Sequence, residues 1–160
     1  MTDLPRWKRL SAGGQDVTLK LDLDGEAMPL AQRMLDMGCA AAVVKCGVSG
    51  MVYATAGEGR LRETGRNLGL DVRAWARQEG KVDSFPAGHV VSATGAGDVS
   101  IAAFLAAVRR GLPPRRCALL ASAEGACSVR TMDPVSGLLP LDKLAEIIDN
   151  NRWKEEIACL

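Results

Sequence analysis

The stretch VVSATGAGDVSIAAFLAAV, residues 90–108, places a single carboxylate, Asp98, directly after a glycine turn and at the mouth of an apolar helical run. A segment that stops at glycines and restarts as a helix leaves its first backbone N–H groups unpaired. Those donors, with the positive end of the helix dipole, form an anion site. Gly95 and Gly97 permit positive φ and close approach of a ligand to the backbone. The turn therefore suits a charged oxygen, above all a phosphoryl group. Asp98 has the wrong sign to hold that group, but it could accept the proton of a hydroxyl attacking phosphorus. Spacing leaves a second reading open, because aspartate near a helix start also serves as a cap or dipole partner and glycine pairs mark ordinary turns. The G-x-x-x-x-G-K-[ST] phosphate loop is absent, and GAGDVS lacks the third glycine of the dinucleotide fingerprint.

Other constellations carry less. LDLDGE at 21–26 fails as a calcium loop, since Ala27 falls where glycine is needed and Arg33 where a bidentate glutamate is needed. His89 is the sole histidine, and beside Gly88 it reads as a loop or surface residue rather than a base. Five cysteines (Cys39, Cys46, Cys117, Cys127, Cys159) stand singly with no C-x-x-C pair, and they read as small buried hydrophobes in a reducing compartment. The basic cluster VRRGLPPRR reads as a solvated helix end, and Trp75 and Trp153 as packing anchors.

The elements that must position Asp98 follow an α/β pattern. Leu4–Leu10 is a weak amphipathic turn, and Val17–Leu23 alternates as a short strand would. Pro29 and Gly38 bracket a helix over about Met28–Met37. CAAAVVKCG and MVYATA read as two apolar strands joined by a tight turn. Residues 57–80 are polar and glycine-rich, with RAWARQ as a possible strand, and SFPAGHVVSA is an extended, β-prone run. Asp98–Arg110 is apolar on nearly every side and is expected to be a buried helix. Further helices run from Pro113-Pro114 to about Val129 and over LPLDKLAEIIDNN.

Composition narrows the class. A chain of 160 residues, 48% hydrophobic, folds as one domain with a real core. A net charge of +1 and six aromatics (three Trp, two Phe, one Tyr) argue against nucleic-acid partners. No apolar run reaches the roughly 18 residues that span a bilayer, and the polar start reads as no signal peptide, so a cytoplasmic location is expected.

SATGAGDVSIAAFL resembles the second signature of the ribokinase-like, or PfkB-type, carbohydrate kinases, approximately D-T-x-G-A-G-D followed by a buried helix. VVKCGVSGMVYATA is similar to the family's strand, K/T-x-G-x-x-G turn and following strand, and RRGLPPRRCALLASAEGACSV to its later helix beside the adenine pocket. Residues from about Leu10 onward lie on the family's second half. The resemblance implies a ribokinase-like three-layer fold, a mixed sheet flanked by helices, with residues 1–160 as the C-terminal nucleotide-binding domain and the N-terminal sugar-binding half absent. It implies Asp98 as catalytic base and the amides of Gly95, Ala96 and Gly97 as the anion hole. It places Lys45, Gly47 and Gly50 at the nucleotide and Ala123, Glu124 and Gly125 near the adenine. ATP, magnesium and a small carbohydrate acceptor follow. For Lys45 a strand-end lysine reaching to water is an equal reading, and for Glu124 a solvated helix glutamate is another. Ser92 replaces the signature aspartate, and no N-x-x-E occurs in residues 1–30. A sheet cut near its middle would expose an apolar face, so self-association is expected. The alternatives are a non-catalytic nucleotide-binding or assembly module, or a kinase of nucleosides or sugar phosphates.

Overall fold

The computed structural model describes Ala12 and residues 21–158. The expected turn at Leu4–Leu10, most of the strand proposed for Val17–Leu23, and Cys159 lie outside the described residues.

Three strands, β1 (Ala41–Lys45), β2 (Met51–Thr55) and β3 (Glu79–Val82), form one antiparallel sheet in the order β1-β2-β3. The tight turn between β1 and β2 is a single 3₁₀ turn, Gly47–Ser49, and the register pairs Val43 with Tyr53 and Lys45 with Met51. The sheet was expected to be mixed; among the described residues it is antiparallel throughout.

β2 is the middle strand, and all five of its residues are buried. Successive side chains of a strand point to opposite faces, and here each face meets its own core. Val52 and Ala54 pack with Ala27, Ala31, Ala42 and Cys46, under the helix α1 (Met28–Asp36). Met51 and Tyr53 join the larger core with Val82, Leu120, Ala121 and Phe104. A strand covered on both sides has no polar face to show, which is why MVYAT reads as a continuous apolar run.

Pro29 lies in the first turn of α1, and Gly38, at φ +110°, stops the chain just beyond its end. Two short helices follow β2, α2 (Glu58–Thr64) and α3 (Val72–Trp75). RAWARQ is thus not a strand. Asp71 caps α3 by accepting from the amides of Arg73 and Ala74, and the helix buries Trp75 edge-on against Phe104 at 6.2 Å. β3 begins immediately afterwards, where Gln78 pairs with Thr55. SFPAGHVVSA forms no strand either: the amides of Val91 and Ser92 both donate to the Val129 carbonyl, away from the sheet.

The last three helices are α4 (Ala96–Arg109), α5 (Pro114–Ser128) and α6 (Leu141–Asp149). α4 buries Val99, Ala103, Phe104, Ala107 and Val108, but it leaves Ile101 40% and Leu105 55% exposed. The expectation that α4 is enclosed on all sides is therefore corrected. α5 is the enclosed helix, buried without a break from Leu120 to Ser128. Its alanines and glycine let it pack against α4, β2 and β3 together. The tail packs back as well, because the Trp153 ring lies tilted against Phe85 with centroids 4.4 Å apart and its indole N–H donates to the Pro86 carbonyl at 2.8 Å. Both tryptophans are packing anchors. The basic cluster around Gly111 is engaged within the chain, with Arg109 on the Asn67 carbonyl, Arg110 on Asp142 and Arg116 on Asp149. No described helix is long and apolar enough to cross a membrane.

Candidate active-site cleft

Gly95 is the residue that turns the chain into α4. It holds φ +82°, and a Cβ there would lie 2.6 Å from the Pro134 ring. The first i→i−4 bond of the helix runs from Val99 N–H to the Gly95 carbonyl at 3.0 Å. Ahead of it, the Ala96 amide makes only a long 3.4 Å bond to the Ala93 carbonyl. Ser92 accepts the Thr94 N–H at 3.3 Å and so ties the turn.

The turn borders a cleft of about 610 Å³ between the β1–β2 turn, α4, α5 and the segment from Ser84 to Val90. Of the residues singled out in the sequence, Lys45, Gly47, Gly50, Ala96, Gly97 and Gly125 line it. The Lys45 ammonium spans from the end of β1 to the Gly97 carbonyl at 2.6 Å, joining strand and helix across the rim. A Cβ on Gly97 would sit 2.7 Å from Lys45 Nζ, so the ammonium would have to shift from its present place.

Gly125 and Gly50 are required for packing. A Cβ on Gly125 would overlap the Ser100 hydroxyl of α4, and one on Gly50 (φ +97°) would overlap the Val82 carbonyl. These glycines set the shape of the cleft by letting its walls approach.

Asp98 lies outside the cleft wall. It is exposed in the first turn of α4, next to Gly97, and no hydrogen bond or ion pair with a described residue engages it. Gly95, not Asp98, occupies the cap position, and no side chain caps the helix. Gly95, Ala123 and Glu124 are also absent from the wall. Glu124 is not a solvated helix glutamate. It is 4% exposed, one oxygen accepts the Leu139 N–H at 3.0 Å, and the other is buried without a partner. Burial pushes its carboxyl above the usual range, partly opposed by the Leu139 bond. His89 is exposed at the loop, as expected.

The sequence reading missed the wall formed by Ser84–Gly88. Its signal was Pro86, a residue with no N–H to give to a sheet ladder. A more open hollow of about 880 Å³, with Asp36, Glu58 and Arg77 on its walls, includes no residue of the glycine turn. No group of three or more His, Cys, Asp or Glu among the described residues could hold a metal ion.

The sequence matches the pfkB family of carbohydrate kinases over residues 19–140. The chain belongs to this family. The fold of this PfkB-family chain is ribokinase-like. It is similar to an apo structure from E. coli assigned as a ribokinase II (26% identity, TM-score 0.56, covering 74% of this chain and 32% of that one). It is also similar to the Methanocaldococcus jannaschii nucleoside kinase, an archaeal member of the ribokinase family (23%, TM-score 0.54, 82% and 34%). A third likeness is to Thermotoga maritima ribokinase (21%, TM-score 0.55, 76% and 34%). The PfkB-family chain thus spans about a third of the length of these solved structures. No curated protein matches it.

Proposed function

We propose that this chain is the C-terminal, nucleotide-binding part of an ATP-dependent kinase that transfers the γ-phosphoryl of ATP to a hydroxyl of a small carbohydrate. The observation that carries the reading is the juxtaposition at the start of α4. Backbone amides of Gly95, Ala96 and Gly97 open the helix beside a cleft bridged by Lys45, and an unengaged Asp98 stands one residue further on. The amides and the helix dipole hold the migrating phosphoryl group. Lys45 leaves the Gly97 carbonyl to meet phosphate oxygens, and the base lies in the cleft between Gly47, Gly50 and Gly125. Ala123 and Glu124 support that wall from behind. Asp98 accepts the proton of the attacking hydroxyl.

Magnesium, when bound with ATP, neutralises charge on the phosphates. With no described cluster able to hold it alone, it would be carried largely by the phosphates themselves. A cytoplasmic site of action fits an ATP-consuming enzyme. Ile101 and Leu105, one turn apart on the open face of α4, supply the surface for self-association.

The test is calorimetry of the chain with MgATP, then ATP consumption against a panel of sugars and nucleosides by the intact protein that carries it, with Asp98→Asn alongside; the chain alone, without a sugar-binding half, is expected to turn over little. Binding with turnover that falls by orders of magnitude in D98N supports the reading. Turnover retained in D98N removes the base assignment. A second reading, a nucleotide-binding or assembly module without turnover, is favoured by Asp98 standing outside the cleft wall; binding with no turnover on any acceptor selects it. Size-exclusion chromatography giving a clean monomer at high concentration overturns the self-association.

A further inference from the structure

Resting on the nucleotide reading above, we infer that Trp153 is a positioning residue for nucleotide binding, holding one wall of the cleft in place from behind. Residues 84–90 belong to no helix or strand, and among the described residues none of their backbone groups pairs with another backbone group. The segment is pinned at its two ends. The Ser84 hydroxyl donates to the Val48 carbonyl, and the Val91 N–H donates to the Val129 carbonyl at 2.8 Å. Between those pins the one described hydrogen bond runs from the Trp153 indole N–H to the Pro86 carbonyl at 2.8 Å. The Trp153 ring also lies against Phe85, with centroids 4.4 Å apart. Phe85 and Pro86 line the cleft, whereas Trp153 does not and is 5% exposed. Its influence on a ligand therefore passes through those two residues.

Trp153 is a fixed point because the tail is fastened to α6. The Arg152 N–H donates to the Ile147 carbonyl at 2.9 Å, and the Arg152 guanidinium pairs with Glu146 at 2.6 Å and Glu156 at 2.7 Å. Ile147 and Ile157 bury their side chains in the larger core on either side of it. A segment with few contacts and no bonds of its own opens at little free-energy cost. A ligand that needs the wall in one place binds more weakly in proportion to the fraction of the time it is elsewhere. Loss of one hydrogen bond that holds the wall then weakens binding about three- to tenfold.

The experiment compares MgATP binding by calorimetry in the unmodified chain, Trp153→Phe and Trp75→Phe, at a temperature where circular dichroism shows all three folded. Trp75 is the matched control: its indole N–H donates to the Leu112 carbonyl at 3.0 Å and its ring meets Phe104, and none of these residues lines the cleft. W153F should raise Kd about three- to tenfold, and W75F, with a comparable loss of stability, should leave it within about twofold. A change in W153F below about threefold, or equal changes in the two variants, overturns the inference and leaves the nucleotide reading standing. If W153F does not fold, hydrogen exchange of the indole protons in the unmodified chain decides. MgATP should then slow exchange at Trp153 more than at Trp75, because a ligand that needs the positioned wall strengthens the contact behind it; equal slowing overturns the inference. No MgATP binding by the folded unmodified chain overturns the nucleotide reading, and the inference with it.

Discussion

Glu124→Gln is predicted to change the pH dependence of stability in a direction that an ordinary surface glutamate would not show. In the native chain one carboxylate oxygen accepts the Leu139 N–H and the other is buried with no partner. Burial raises the folded pKa of this group above its unfolded value, with the Leu139 bond opposing. The native state therefore binds more protons in the interval between the two values. The stability contributed by the neutral form is complete below roughly pH 4.3, the unfolded glutamate value, and is lost as pH rises through the folded pKa. A buried polar atom left unsatisfied costs about 1–3 kcal/mol, more when charged. Glutamine keeps an acceptor for Leu139 and stays neutral, at a pH-independent cost of about 1 kcal/mol for its own buried amide. Between about pH 4 and pH 8 the unmodified chain should lose some 1–3 kcal/mol relative to E124Q, at roughly 2–4 °C in Tm per kcal/mol. Paired thermal melts across that range measure the difference, since all other titrations are common to both chains. Parallel curves would refute the argument, showing that the carboxylate reaches water or a counter-charge.

Trp153→Phe should keep most of the ring contact with Phe85 while losing the bond to the Pro86 carbonyl, about 1 kcal/mol in chemical denaturation. Trp153→Ala should cost about 3–5 kcal/mol, and equal losses in the two variants would count against the bond. Gly50→Ala should destabilise by about 3 kcal/mol, because a Cβ must be accommodated at φ +97° against the Val82 carbonyl; an unchanged Tm contradicts this. Alkylation at mildly alkaline pH, mapped by mass spectrometry, should label exposed Cys39 and spare Cys117 and Cys127 until the chain unfolds. Burial pushes the Cys117 thiol up to about 12. The Cys127 thiol is pushed up to about 12 by burial and then by Glu124. Rapid native labelling of either one overturns their inert assignment.

Local rules carried the reading furthest where a single residue imposes a conformation. Pro29 and Gly38 bound α1, Pro114 opens α5, and the glycine turn ends at the helix that carries Asp98. The β1–β2 hairpin was legible because two apolar runs are separated by a segment too short for anything but a turn. Two misreadings share one cause. RAWARQ and SFPAGHVVSA have strand-like composition, yet their backbone groups find partners elsewhere, in the Asp71 cap and at the Val129 carbonyl. Composition does not say where a hydrogen bond goes. β3 is the converse case: E-G-K-V has little β propensity, and it pairs because Gly80 leaves room for the Tyr53 ring, where a Cβ would lie 2.6 Å from the hydroxyl.

That a glycine turn hands an aspartate to the start of a helix is written in adjacent residues, since glycine conformation and helix-end chemistry act over short range. Which side chains meet across the chain emerges from the folded arrangement alone. It brings Lys45 to Gly97 over 52 positions, Gly125 against Ser100, and Trp153 behind the cleft wall, and it draws Glu124 into the core. Such pairings depend on the packing of α5 between the sheet and α4, a balance of many small contacts that no local stretch of residues encodes.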